Sequence, residues 1–183
     1  MPVKNLIITG SPGVGKTTLL KECAYPYVER IGGFFTEEIR EGNQRKGFLL
    51  KSFDGASGVL AAKGLSSKTR LNKYGVDLSV LEKIGCRAIE AALTEKEIVV
   101  VDEIGSIEML SPTFCEKIAE ALGGPKPFLA TIRLKAQPFT SQIKKMSDTR
   151  LVVLNKDNFL EVKEAVHSWI AEICAGQRKL DQT

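Results

Sequence analysis

The sequence predicts an α/β fold: a mainly parallel β-sheet with helices on both faces, interrupted by an inserted antiparallel β-meander. Three observations point there. Short apolar runs suited to strands buried on both faces, such as residues 6–8 and 98–101, alternate with stretches whose apolar residues recur at helical spacing. Between residues 32 and 62 the composition turns to β-type residues, with the turn pairs Gly42-Asn43 and Asp54-Gly55 set among them. A glycine-rich loop, residues 10–17, joins the first apolar run to the first helical stretch.

Taken in order, residues 3–9 form the first strand around Leu6, Ile7 and Ile8, and a helix opens at Lys16 with Leu19, Leu20, Cys23 and Ala24. Phe34, Phe35, Thr36 and Ile39, then Phe48, Leu49, Leu50 and Phe53, then residues 58–62 supply three meander strands. Residues 65–74 read as a basic, serine-rich loop. Ser79-Val-Leu-Glu82 is a capping-box pattern, and Leu81, Ile84, Ala88 and Ala91 carry the helix behind it to Leu93. Residues 98–101 are a solid apolar strand that ends in Asp102-Glu103. Ser111 caps a helix that starts at Pro112, buries Phe114, Ile118 and Leu122, and stops at Gly123-Gly124. Residues 128–132 and 151–154 are further strands with a short helix between them. A last helix, residues 157–174, buries Phe159, Val162, Val166, Trp169 and Ile173. A single domain over residues 1–175 is expected, followed by a flexible tail at 176–183.

The loop Gly10-Ser11-Pro12-Gly13-Val14-Gly15-Lys16-Thr17 matches G-x-x-x-x-G-K-[ST] in the strand–loop–helix setting that the motif requires. Gly10, Gly13 and Gly15 open backbone conformations closed to other residues and let N–H groups approach phosphate oxygens. The following helix turns its partly positive N-terminus toward the same oxygens, with Thr18 in its first turn. Lys16 adds a point charge at the β- and γ-phosphates, and the Thr17 hydroxyl is a candidate Mg²⁺ ligand.

Asp102 and Glu103 end the most apolar strand, and in an open parallel sheet ligands collect at the carboxyl ends of strands. A carboxylate at Asp102 is suited to hold Mg²⁺, and Glu103 beside it to orient and deprotonate an attacking water. This pairing favours hydrolysis of a nucleoside triphosphate. A small-molecule or nucleotide kinase remains the alternative enzyme, and an NTP-driven regulatory switch the alternative of another class.

Four segments then carry a resemblance over nearly the whole chain: residues 10–18; Gly33-Phe-Phe-Thr-Glu-Glu-Ile-Arg-Glu-Gly42 with Arg45, Gly47 and Phe48; Tyr74-Gly-Val-Asp-Leu78; and Val101-Asp-Glu-Ile-Gly105 with Glu108. Together they resemble the THEP1-type nucleoside-triphosphatases. The resemblance implies a three-layer P-loop NTPase fold of the RecA-like or AAA-like kind. It also implies slow hydrolysis of ATP, GTP, CTP and UTP with little base selectivity, and a site that includes Gly105. One position departs from the family pattern D-E-I-G-K-M-E. Ser106 stands where the pattern has lysine, and Arg40, Arg70 and Arg133 are the candidates to replace its charge.

The remaining composition narrows the class. The chain has 183 residues, 43% hydrophobic and 26% charged, with a net charge of +4, which fits a globular domain and not a nucleic-acid-coating one. Cys23, Cys86, Cys115 and Cys174 are widely spaced, without zinc or disulfide patterning. No apolar run has the length of a signal peptide core or a membrane span, so a cytoplasmic monomer without a membrane partner is expected, with nucleic acid not indicated by any motif and an oligomer left open. Asn155-Lys156-Asp157-Asn158 resembles a guanine signature but lacks its final carboxylate, and a helix cap accounts for it equally well. His167 is expected to face solvent and Trp169 the core.

Overall fold

The computed structural model describes residues 3–135 and 137–180. Nine strands form one sheet: β1 (Asn5–Gly10), β2 (Ile31–Glu41), β3 (Gln44–Ser52), β4 (Ser57–Ala62), β5 (Thr69–Leu71), β6 (Tyr74–Val76), β7 (Ile98–Ile104), β8 (Phe128–Arg133) and β9 (Thr149–Leu154). Their order is β5-β6-β4-β3-β2-β7-β8-β1-β9. The run β2-β7-β8-β1-β9 is parallel, and everything beyond β2 is antiparallel.

Period-two alternation sorts the parallel strands between two cores. Leu6 and Ile8 of β1, Ile98 and Val100 of β7, and Leu129 of β8 face one side, where α1 (Lys16–Ala24) and α6 (Phe159–Leu180) cover them. Ile7, Val99, Val101, Phe128 and Ala130 face the other, beneath α3 (Arg87–Glu95) and α4 (Pro112–Gly123). The result is a helix–sheet–helix sandwich, and the same alternation assigns faces at the carboxyl edge of the parallel strands. Asp102 continues the series Ile98, Val100, and Thr131 and Arg133 continue Leu129. All three therefore fall on the α1 side.

The meander is joined to the core by a single strand. Residues 31–34 of β2 pair in parallel with β7, and from Phe34 onward β2 pairs antiparallel with β3. Gly33 sits at this junction with φ +118°, and a Cβ there would lie 2.0 Å from the Val100 carbonyl oxygen. Only glycine fits.

Three expectations need correction. The loop expected at residues 65–74 is instead the approach to a β5–β6 hairpin that extends the sheet, with Asn72 at φ 54° in its turn and the Ser67 hydroxyl donating to the Val76 carbonyl at 2.6 Å. Three-residue strands are too short to show alternation. The helix expected after Ser79 is capped by Asp77, whose carboxylate accepts from the Ser79 N–H at 2.9 Å. That helix runs as α2 (Leu78–Val80), widens to a π-helical turn at Leu81–Cys86, and continues as α3. Finally, α6 does not stop at Cys174 but continues to Leu180, so the segment expected as a tail is helical that far, and residues 181–183 lie outside the described residues.

Elsewhere the elements fall where their patterns put them. The Ser111 hydroxyl accepts from the Phe114 N–H at 3.1 Å at the start of α4. The Trp169 indole is buried and donates to the Val3 carbonyl at 2.8 Å, while His167 is exposed. Cys23, Cys86 and Cys174 are buried in the cores, and Cys115 is half-buried. Among the described residues, no helix is long and apolar enough to cross a membrane.

Candidate active site

The loop between β1 and α1 rises at the carboxyl edge of the parallel strands. Gly13 and Gly15 have φ of 76° and 103°, the left-handed region that favours glycine. Gly10 answers to a different constraint from the one expected. Its φ is ordinary, but a Cβ would come within 2.5 Å of the Leu154 carbonyl oxygen on β9. Ser11, Pro12, Gly13 and Thr18 are exposed, and the Val14 N–H closes a turn on the Ser11 carbonyl at 3.3 Å. Lys16 is 8% exposed and donates to the carbonyls of Gly10 at 3.0 Å and Ser11 at 3.3 Å, which holds its ammonium over the loop.

Chain segments 85 residues apart meet next to it. The Thr17 hydroxyl donates to Asp102 Oδ2 at 2.7 Å. Asp102 is fully buried, and its other oxygen accepts from the Thr131 hydroxyl. Burial pushes the Asp102 carboxyl above its usual range, and the Thr131 and Thr17 hydroxyls, the nearby Thr36 backbone N–H and the Lys16 charge pull in the opposite direction. Its charge is thus held by neutral hydrogen-bond donors with the Lys16 charge nearby, so a cation reaching Thr17 would find an oxygen-only site with room for water and phosphate. That suits Mg²⁺, which is rarely caged by protein groups alone.

Glu103 is half-buried and lines the same hollows as Lys16. Burial raises its carboxyl above the ordinary range; Lys16 opposes this, the Asp102 charge adds to it, and Arg133 opposes it. Glu103, Lys16, Thr17 and Thr18 share a hollow of about 510 Å³ with Thr36, Glu38, Arg45 and Phe48 of the meander. The meander is therefore a wall of the site, a role its sequence did not disclose. Thr131 was also missed, since a lone threonine in an apolar strand gives no signal without the strand order.

Gly105 separates two carboxylates. A Cβ there would lie 3.0 Å from Glu108 Oε2 and 3.4 Å from Glu103 Oε1. Glu108 is buried and accepts from the Gly105 N–H at 3.2 Å. Burial raises its carboxyl from 4.5 to about 8, and the charges of Glu103 and Asp102 push the same way. Between those values the folded chain keeps a proton that the unfolded chain gives up, so stability falls as pH rises through the window. Glu108→Gln is expected to flatten the dependence of Tm on pH between 4.5 and about 8; an unchanged slope would contradict this environment.

The three arginines separate clearly. Arg40 is exposed and ion-paired to Glu38 at 2.6 Å, and Arg70 is exposed on β5. Arg133 alone reaches Ser106, its Nη1 donating to the serine hydroxyl. The guanine-like segment is closed on itself. Asn155 Oδ1 accepts from the N–H groups of Asp157 at 2.8 Å and Asn158 at 3.0 Å, and Asn158 Nδ2 donates to the Val153 carbonyl at 2.9 Å.

The profile of a protein family described as NTPase matches residues 5–168. A nucleoside-triphosphatase THEP1 of Thermotoga maritima is 44% identical over 153 residues, which span 84% of this chain and 87% of that protein. The THEP1 of Methanocaldococcus jannaschii is 39% identical over 134 residues, 69% of this chain and 76% of that protein. The crystal structure of THEP1 from the hyperthermophile Aquifex aeolicus matches with a TM-score of 0.83 at 30% identity, covering 90% of this chain and 97% of that one. The solution structure of a human cancer-related nucleoside triphosphatase matches with a TM-score of 0.77 at 28% identity, covering 91% of this chain and 97% of that one.

Proposed function

The chain belongs to this family of nucleoside-triphosphatases, P-loop enzymes that hydrolyse nucleoside triphosphates, and from that premise we propose a Mg²⁺-dependent, slow and base-tolerant hydrolysis of ATP, GTP, CTP and UTP to the diphosphate and phosphate. One observation carries the reading: the phosphate-loop Thr17 hydroxyl lies 2.7 Å from the buried Asp102 carboxylate, with Glu103 on the same hollow.

In this reading the N–H groups of residues 10–18 and the Lys16 ammonium bind the β- and γ-phosphates. Thr17 and Asp102 hold Mg²⁺, which when bound neutralises charge on the β- and γ-oxygens. Glu103 takes a proton from a water aligned with the γ-phosphorus as the bond to the β,γ-bridging oxygen breaks. The internal bonding of Asn155 and Asn158 supports base tolerance, because their amides are already committed to their own turn. All of these groups come from one chain, which suits a monomer, and the thiols of Cys23, Cys86 and Cys115 suit a reducing, cytoplasmic setting.

The test is phosphate release from each of the four triphosphates, with magnesium and then with a chelator. Release of the same order for all four is expected, with chelation stopping it and added magnesium restoring it. Release that persists in chelator would overturn the Thr17–Asp102 role.

A second reading, transfer to an organic hydroxyl, is favoured by one feature. A hollow of about 260 Å³ lies beyond Glu103, walled by Phe48, Leu71, Tyr74 and Ile107. Phosphate that appears on an added alcohol, and not in solution, would support it.

A further inference from the structure

We propose that Arg133 is a catalytic residue of this site, its guanidinium contacting the terminal phosphate of the bound triphosphate. The proposal rests on the hydrolase reading above and adds a group to it.

Position comes first. Arg133 is the last residue of β8, and in the parallel β1–β8 pair it stands directly opposite Gly10, where the phosphate loop begins. Alternation puts its side chain on the face that carries Thr131 and Asp102. The chain beyond it is pinned by Lys144, whose ammonium donates to the carbonyls of Arg133 and Leu134, each at 3.1 Å.

Charge comes second. Arg133 lines a groove of about 220 Å³ together with Gly10, Pro12, Lys16 and Glu103. It is half-buried, yet among the described residues it forms no ion pair; its side chain bonds only to the neutral Ser106 hydroxyl. Its Nε is buried without an acceptor. The other arginines near the phosphate loop differ. Arg40 and Arg45 are both ion-paired to Glu38.

A guanidinium and an ammonium at one groove, set against the single Glu103 carboxylate and with a buried N–H left unbonded, make an arrangement that a further anion stabilises. The terminal phosphate is the anion that the loop delivers to that groove. As the γ-phosphoryl group leaves the β,γ-bridging oxygen, charge is redistributed over oxygens within reach of Arg133. A planar donor fork already held by Ser106 needs little reorganisation to meet it.

The experiment compares the wild type with Arg133→Ala and Arg133→Lys, measuring kcat, Kd for ATP and for ADP in the absence of turnover, and the Tm shift given by ADP with magnesium and aluminium fluoride. Arg133→Ala is expected to lower kcat about 100-fold. It should leave ADP affinity unchanged, reduce the preference for ATP over ADP, and abolish the extra stabilisation by aluminium fluoride. Arg133→Lys should recover part of each, and its Tm guards against a folding artefact. A purely structural role would not move the ATP-to-ADP ratio. An alanine variant with wild-type kcat, or with a wild-type ATP-to-ADP ratio and fluoride response, overturns the proposal. Failure of the wild type to release phosphate would instead strike the hydrolase reading, while the affinity ratio would still read the Arg133 contact.

Discussion

Lys16→Ala is expected to lower kcat by at least about 100-fold, the scale seen when one preorganised donor to a developing charge is removed. The expectation follows from where the ammonium is held. It is nearly buried, anchored on the carbonyls of Gly10 and Ser11, and so fixed over the loop at little cost in side-chain freedom. Alanine removes the charge and leaves two carbonyls without their donor, so some stability is lost as well, about 1–3 kcal/mol if both remain dry. A Tm measurement separates the two effects. Triphosphate affinity should fall together with kcat, because the ammonium meets both ground-state and departing phosphates. Turnover within tenfold of wild type would remove Lys16 from its role.

Glu103→Gln is the second large effect, and its signature is different. The amide keeps the shape but cannot accept a proton, so kcat should fall about 100- to 10,000-fold, the usual contribution of a general base. Nucleotide affinity should hold or tighten, since a negative charge leaves the neighbourhood of the phosphates. The pH profile gives a further check. With its carboxyl raised by burial, Glu103 becomes a competent base only above the ordinary carboxylate range, so the wild-type rate should climb with pH through that region. The glutamine variant should lose that limb. A variant that keeps both the rate and the limb would assign the proton to another group.

The parallel core was legible in the sequence because each of its strands is an apolar run bounded by turns, and each helix shows a stripe or a cap. The place of Asp102 near the end of a strand was legible for the same reason: it ends a solid apolar run. Residues whose importance depends on strand order were hidden. Thr131 reaches Asp102 only because β8 lies between β1 and β7, an order that residue patterns alone do not specify. The meander residues Thr36, Arg45 and Phe48 border the phosphate hollow because β2 changes partner at Gly33, going from parallel pairing with β7 to antiparallel pairing with β3. The β5–β6 hairpin escaped because its strands are three residues long. Arg133 was one of three equal candidates until the β1–β8 register set it opposite Gly10.

The most direct measurement is a crystal structure with magnesium and a non-hydrolysable triphosphate analogue. The account predicts the phosphates laid along residues 10–18, the metal against the Thr17 hydroxyl, and the terminal phosphorus between Lys16 and the Glu103 carboxylate. A nucleotide bound away from the loop, or a terminal phosphate with Glu103 out of reach of its attacking water, would contradict it.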